Sequence, residues 1–176
     1  MTQTMRRTVY ACAALASFLL LARADAQGSQ DAALCARAND ASPDEVIRAC
    51  TAVMSAERTA AGLLLQAYFN RADAYRRKNE NALAIEDYSH VIRHDRLYPR
   101  VFLGRAVAYL ASGEYERAIV DFDQSLRSDR PGVEALLALY GRGVARQMKG
   151  DAAGGQADIA AAQRQEPRIA EMFRTY

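Results

Sequence analysis

A recurring spacing of 34 residues constrains the fold of this chain more than any other feature of its sequence. Residues 71–75 recur as residues 105–109, and residues 84–88 recur as residues 118–122, with the same small, charged and aromatic positions. A looser third copy, which includes Arg142, follows at an offset of 37 because three extra residues separate it from the second. A fixed period of this length indicates one supersecondary unit that repeats and stacks on its neighbours.

The small and aromatic residues of each copy resemble those of the tetratricopeptide repeat family, in which a unit is a pair of antiparallel helices. In the first helix a large residue precedes a small one by four positions, as in Tyr68 and Ala72, Phe102 and Ala106, and Leu139 and Gly143. In the second helix the small residue comes first, as in Ala84 and Tyr88, and Ala118 and Phe122. Small residues let two helices approach closely, and the rings fill the space beside them. The resemblance implies an all-α fold, an α-solenoid of antiparallel helix pairs.

The repeats also suggest how the chain is divided. A leader is predicted at 1–26, a divergent first helical hairpin at 27–64, repeat units at 65–98 and 99–132, a degenerate unit at 133–168, and a capping helix at 169–176. Turns within the units are indicated at residues 79–81, 112–114 and 149–151, where Gly113 and Gly150 are available for a left-handed helix end.

Two features distinguish the end of the array. Gly154 and Gly155 lie within a predicted helix, and each is expected to cost about 1 kcal/mol relative to alanine, which would weaken the third unit. After Pro167, apolar residues recur at helical spacing: Ile169, Met172, Phe173 and Tyr176. This segment is expected to cover the exposed apolar end of the stack.

The N-terminal residues have the order of a secretory signal peptide. Two arginines precede an apolar run over residues 9–22, and Ala24-x-Ala26 fits cleavage after Ala26. The run is shorter than the roughly 20 residues of a membrane-spanning helix, so cleavage is favoured over the alternative of a retained anchor. The sequence therefore predicts an exported protein, periplasmic or secreted, with no stable membrane insertion after signal cleavage.

The charge balance argues against a polyanionic partner. The chain has 23 basic and 21 acidic residues, and the leader holds three of the former and one of the latter, which leaves 20 of each. A neutral domain has no long-range field that would gather nucleic acid or anionic lipid. Nucleic acid is therefore not an expected partner.

Two cysteines, Cys35 and Cys50, remain in the exported chain, where an even number favours a disulfide. Residues 42–45 have the order of a helix start, with a serine N-cap, a proline in the first turn and a glutamate that completes a capping box. If a helix before Asn39 pairs with this one, the two cysteines lie equally far from the turn and face each other. A disulfide would contribute about 3 kcal/mol, and two buried free thiols are the alternative.

One pair of side chains suggests a metal site. His90 and His94 lie one helical turn apart, with Asp87 a turn earlier, and imidazoles at this spacing can converge on zinc. An HExxH pattern is absent and no third ligand is indicated, so metal binding is an alternative hypothesis only. Asp121 and Asp123 point to different sides of a helix and are interpreted as solvated. Because nucleophile, phosphate-loop and dinucleotide motifs are also absent, neither enzymatic activity nor a cofactor is expected.

The resemblance places a partner-binding groove on the concave surface, which the first helices of the units line. The first row is an apolar stripe of Phe69, Leu103 and Tyr140. One turn further lie Asp73, Val107 and Val144, and then Arg76, Leu110 and Gln147, with Arg77 and Arg100 at the rim. An apolar floor beside arginines suits a peptide with apolar anchors and an acidic group. The family's clamp for a C-terminal carboxylate is not expected, since Gly104 stands where a basic residue is needed, although Asn70 fits.

Together these features predict a non-enzymatic scaffold that binds a peptide or protein segment in the concave groove. Two alternatives are open. One is a small exported protein that binds a metal or sequesters a ligand through His90 and His94. The other is a self-associating structural subunit whose groove is filled by its neighbour.

Overall fold

The computed structural model describes residues 27–56, 59–98, 100–127 and 132–176, so the predicted leader lies outside the described residues. Regular structure in these ranges is helical throughout: α1 (27–36), a 3-10 turn (Ala38–Asp40), α2 (Pro43–Ser55), α3 (Ala61–Arg77), α4 (Asn81–His94), α5 (Val101–Ala111), α6 (Tyr115–Leu126), α7 (Val133–Lys149), α8 (Ala152–Gln165) and α9 (Ile169–Thr175). None of these helices is long and apolar enough to cross a membrane.

The helices stack in chain order. Each helix from α2 to α8 packs against the next one, while α3 also contacts α5, and α5 contacts α7. This pattern, in which the first helices of successive pairs lie side by side, is that of a solenoid. The predicted all-α solenoid is therefore confirmed. The predicted boundary at residue 65 falls inside α3, which begins four residues earlier at Ala61.

The start of α2 has the predicted capping box. The Ser42 amide donates to Glu45 Oε2 at 3.0 Å, and the Glu45 amide donates to Ser42 Oγ at 3.4 Å. Hydrogen bonds from Ser42 lower the pKa of Glu45 because they favour the charged carboxylate. Pro43 occupies the first turn, where its missing N–H costs nothing. The hairpin turn is thus encoded locally.

The three predicted turns within the units share one geometry. Asn79, Gly113 and Gly150 have φ values of 60°, 77° and 104° at corresponding positions. In each turn the next residue donates its amide to a carbonyl five residues earlier, at 2.9 Å in all three cases. Asparagine tolerates the left-handed region better than most residues, so Asn79 can stand in for glycine.

Glycines set the spacing between neighbouring units. A Cβ at Gly104 would lie 2.6 Å from the Tyr88 ring, and a Cβ at Gly141 would lie 2.5 Å from the Phe122 ring. The ring from the second helix of one unit therefore rests on the glycine of the next unit's first helix. Any larger residue at these positions would push the units apart.

The expectation that the paired glycines weaken the third unit is wrong for Gly155. Helices α7 and α8 cross so closely that a Cβ at Gly155 would lie 2.6 Å from the Gly143 carbonyl oxygen. A Cβ at Gly143 would in turn lie 2.8 Å from the Gly155 carbonyl oxygen. The propensity argument assumed an exposed helix, whereas this crossing excludes alanine on steric grounds.

The N-terminal hairpin has a small core of its own. The sulfur atoms of Cys35 and Cys50 lie at bonding distance, with their Cα atoms 4.9 Å apart, and both residues are fully buried beside Val46. Asn70 on α3 donates from Nδ2 to the Cys35 carbonyl at 2.7 Å. The hairpin is therefore fastened both within itself and to the first repeat.

Candidate functional site

Each repeat contains a bidentate arginine–aspartate pair that joins its two helices. We call these pairs the arginine seam: Arg71–Asp87, Arg105–Asp121 and Arg142–Asp158. In every pair Nε and Nη2 donate to the two carboxylate oxygens, over distances of 2.6 to 2.9 Å. The aspartates are almost fully buried. Such flat, paired contacts are the strongest form of this interaction.

The seam also links one unit to the next. In each pair the arginine Nη1 donates to the second helix of the preceding hairpin: Arg71 to Thr51 at 3.0 Å, Arg105 to Ser89 at 2.9 Å, and Arg142 to Asp123 at 2.7 Å. Each guanidinium therefore holds three helices together. Because its donors and charge are used internally, the seam is a structural device.

The seam corrects two interpretations made from the sequence. Asp121 is 3% exposed and bound to Arg105, and Asp123 is half-buried against Arg142, so neither is a free, solvated carboxylate. Asp87 is bound to Arg71, so the carboxylate considered as a possible metal ligand is already paired. Helical spacing alone missed these contacts because the partners come from other helices.

The histidines form a stack of rings on α4. The His90 ring lies 3.8 Å from the Tyr68 ring and 4.4 Å from the His94 ring, centroid to centroid. His94 Nδ1 is 3.0 Å from the His90 carbonyl oxygen. Burial, with the nearby charges of His94 and Arg93, lowers the pKa of His90. Within the described ranges, no three His, Cys, Asp or Glu side chains are grouped so that they could hold a metal ion.

We use concave face for the surface formed by α3, α5 and α7. Its C-terminal half is covered by α9, which contacts α7 more extensively than α8. The Phe173 ring lies 5.3 Å from the Tyr140 ring, and Ile169 is fully buried. The predicted cap therefore covers part of the concave face as well as the end of the stack.

The predicted apolar stripe is consequently closed. Leu103 is fully buried, and Phe69 is 9% exposed beneath the rings of Tyr88 and Tyr98. Tyr140 lies under Phe173. The remaining apolar positions, Val107, Leu110 and Val144, are partly buried. Of these, Val107 and Leu110 pack against the core around Leu103. The stripe serves internal packing in this conformation because α9 and the loop after α4 supply its partners.

The polar positions of the predicted site converge on an open cavity. A volume of about 340 Å³ lies between the N-terminal hairpin, α3 and the end of α9. Four residues of the predicted site line it: Asp73, Arg76, Arg77 and Arg100. Asn70 and Tyr176 line it as well. Arg76 and Arg100 both lie over the Tyr176 ring, with Cζ 4.7 and 5.2 Å from its centroid.

Positive charge dominates this cavity. Among the lining residues, Asp73 is the single acidic side chain beside three guanidinium groups. The Tyr88 hydroxyl donates to Asp73 Oδ1, and the Arg76 Nη2 atom is 3.6 Å from the same oxygen. Burial and the Asp73 charge raise the pKa of Tyr88 well above its ordinary value, so it stays a donor. Arg76 Nε is buried and has no hydrogen-bond acceptor among the residues that the structure describes.

The three arginines of the cavity have different roles. Arg77 donates to the carbonyls of Ala38 and Ala41 at 3.2 Å and so fixes the hairpin wall. Arg100 forms no ion pair with any residue that the structure describes, and it has a φ of 63°. A non-glycine residue in this region is strained, and such residues concentrate at functional sites. Arg100 is therefore the group most available to an incoming anion, and Arg76, whose side chain is 11% exposed, is accessible only in part.

The sequence comparisons agree with this architecture. Residues 65–96 and 99–131 each match the sequence model of the tetratricopeptide repeat. The two central units are therefore similar to tetratricopeptide repeats. Repeats of this type generally mediate protein–protein interaction and are typically non-enzymatic. The unit at 133–168 lies outside the match, but it has the same turn and the same seam pair. No curated protein matches the chain.

Proposed function

We propose that the chain is an exported interaction module whose concave cavity binds an acidic segment of a protein partner. The observation that carries the proposal is the difference between the arginines. Every seam arginine has a bidentate carboxylate, whereas Arg76 has only a 3.6 Å approach to Asp73, and Arg100 has no ion pair within the described ranges. Both are held beside an open cavity, where an aspartate or glutamate side chain would complete them.

The surroundings favour a peptide over a small anion. The Tyr176 ring forms an apolar wall next to the two guanidinium groups. Asn70 and Arg77 line the other side, already fastened to the hairpin, so the walls are held in place before binding. A preorganised cavity loses little conformational entropy on binding, and a segment several residues long can contact both walls.

Export supports the same proposal from a different direction. The basic, apolar and small residues of the leader are those of a cleaved signal, and cleavage after Ala26 would release a neutral chain. The proximity of the Cys35 and Cys50 sulfur atoms fits an oxidising compartment. Determining the N-terminal residue of protein recovered from the periplasm or medium tests this part, and retention of residue 1 would contradict it.

Selection from a random peptide library tests the binding proposal. The expected result is that the protein enriches peptides with aspartate or glutamate next to an apolar residue. The Arg100→Asn variant should lose the acidic preference, because it removes the charge while asparagine tolerates the left-handed backbone. Arg164→Asn is the matched control, since Arg164 is exposed on α8, away from the cavity.

The two variants separate binding at the cavity from general attraction. If Arg164→Asn lowers the enrichment as much as Arg100→Asn, the effect is one of net charge and the cavity is not the site. If the wild-type protein enriches no acidic sequence, the proposal fails. Enriched peptides should also bind more weakly as salt increases, since a partly exposed ion pair is screened.

A further inference from the structure

A second cavity lies on another side of α3. It encloses about 180 Å³ between α3 and α4 and is lined by aromatic, apolar and charged side chains: Tyr68, Arg71, Tyr75, Leu83, Glu86, Asp87, His90 and Arg93. With 3.6 residues per turn, Tyr68 and Tyr75 project from a different side of α3 than Asp73 and Arg76. The two cavities therefore belong to separate surfaces.

In the next repeat an arginine of the chain lies over the equivalent tyrosine and donates to Glu114 at 2.7 Å. At an offset of 34, Tyr75 corresponds to Tyr109 and Leu83 corresponds to Arg117. The Arg117 Cζ lies 5.2 Å from the centroid of the Tyr109 ring, which is 7% exposed. In the first repeat Tyr75 remains partly exposed, and Leu83 is 43% exposed. A leucine cannot supply the missing cation.

The third repeat follows the second in this respect. At the position of Tyr109 it has Arg146, whose Nη1 donates to the seam residue Asp158 at 2.8 Å. A second guanidinium thus approaches the ring or the seam aspartate in these two repeats. In the first repeat Arg71 Cζ lies 5.7 Å from the Tyr75 ring, and Arg93 lines the cavity, but no second guanidinium lies over that ring among the described residues.

The charges of the cavity suit a cation from outside the chain. Glu86 is exposed without an ion pair in the described part of the protein, and its counterpart in the second repeat is Val120. Asp87 and Arg71 neutralise each other, and the lowered pKa of His90 keeps that ring neutral near pH 7. Arg93 does not oppose the site, because the second repeat accommodates Arg117 although it has Arg127 at the position of Arg93.

We infer that this cavity binds an arginine side chain of a protein partner, which stacks on Tyr75 and pairs with Glu86. The planar guanidinium is favoured over ammonium because it can lie on a ring and form a forked contact with a carboxylate at once. This site binds a basic group, and it lies on a different surface from the cavity proposed to bind an acidic segment. Either proposal can therefore fail without the other.

Titration of the folded protein with short blocked peptides tests the inference, with the Tyr75 and Tyr68 ring signals followed by NMR. A tripeptide with arginine between two glycines should shift these signals saturably. The same peptide with citrulline, a neutral isostere, should bind at least about tenfold more weakly, since it loses the charged contact to Glu86. The lysine peptide should also bind more weakly than the arginine peptide.

Two variants locate the site. Leu83→Arg should place a guanidinium over Tyr75 as Arg117 lies over Tyr109, and it should abolish the shifts while circular dichroism stays unchanged. Met148→Arg is the matched control, because it adds the same charge at an exposed position on α7 and should leave binding intact. Glu86→Gln should weaken the arginine peptide but not the citrulline peptide.

Three results would overturn the inference. They are the absence of saturable shifts with the arginine peptide, equal binding of the citrulline or lysine peptide, and undiminished binding to Leu83→Arg. Because these titrations involve no acidic ligand, their outcome is independent of the library selection described for the concave cavity.

Discussion

The arginine seam and the concave cavity use the same residue type for opposite purposes. In the seam, Arg105 has 17% of its side chain exposed, and Asp121 of the same chain meets it with both oxygens. In the cavity, Arg76 and Arg100 lie over a tyrosine ring, and neither has a bidentate carboxylate in the part of the chain that the structure describes. Under our proposal, what distinguishes a structural arginine from a binding one is whether its own chain supplies the carboxylate.

Removing a seam carboxylate should have the largest effect. Asp121→Ala is expected to lower the free energy of unfolding by about 3 to 5 kcal/mol, because it leaves Arg105 buried without a counter-charge. Urea denaturation measures the change. Asp40→Ala is the control, since its 3.6 Å pair with Arg37 is exposed and should be worth less than about 1 kcal/mol. Equal losses in the two variants would mean that the seam has no special structural role.

The N-terminal hairpin offers a variation on the seam. Its ion pair joins Asp31 to Arg48 at 2.8 Å, but the Arg48 side chain is 57% exposed, so the pair is screened by solvent. We expect the link between Cys35 and Cys50 to replace the missing stability. Reduction should lower the free energy of unfolding by about 3 kcal/mol, measured by urea denaturation with and without reductant.

The cysteine prediction has an independent check. Before reduction, a thiol reagent should fail to modify the proposed mature protein, which begins at Gln27 and lacks Cys12, whether it is folded or denatured. Modification of denatured, unreduced protein would mean that the two cysteines are free. As a control, the free energy of unfolding of the Cys35→Ala, Cys50→Ala double variant should not change when reductant is added.

A change in the concave cavity should affect stability much less. Arg100→Asn is expected to lower the free energy of unfolding by no more than about 1 kcal/mol, because it removes the contact with the Tyr176 ring but breaks no ion pair among the described residues. The same urea denaturation provides the measurement. A loss as large as that of Asp121→Ala would place Arg100 among the structural arginines and would remove the contrast between the two regions.

The smallest expected effect is a pH dependence of the first repeat. Burial and the neighbouring His94 lower the pKa of His90 below its ordinary 6.5, so the unfolded chain binds more protons between the two values. Stability from this group is therefore complete above about pH 6.5 and falls as the pH drops through the lowered pKa. The slope of unfolding free energy against pH measures it. His90→Gln, which installs the residue found at position 124, should flatten the slope, and an unchanged slope would contradict the assignment.

Much of the fold could be predicted because its signals are local. The 34-residue period, the turns at Gly113 and Gly150, and the capping box of Ser42 and Glu45 each depend on residues within one helix pair. The seam also left a signal that was not used. Its arginine and aspartate are 16 residues apart in all three units, although the distance between units changes from 34 to 37.

Other properties depend on where distant segments meet. The resemblance assigned Asp73 and Arg76 to the groove and Arg100 to its rim, and all three line one cavity. Neither the resemblance nor helical spacing could show that Phe173 would lie on Tyr140 or that Tyr176 would reach Arg76. The direction of α9 after Pro167 is decided by the apolar surface that it buries. In the structure, the predicted apolar stripe is therefore covered, and the arginines predicted at the rim of the groove line a cavity.

The sequence by itself determined the helical hairpin, its turns and its repetition, since propensity, capping and close helix contact act over a few residues. The tertiary structure alone decided which charges are neutralised and which remain open. Neutralisation requires a partner within about 3 Å in space, and periodicity along a helix does not specify what the neighbouring helix places there.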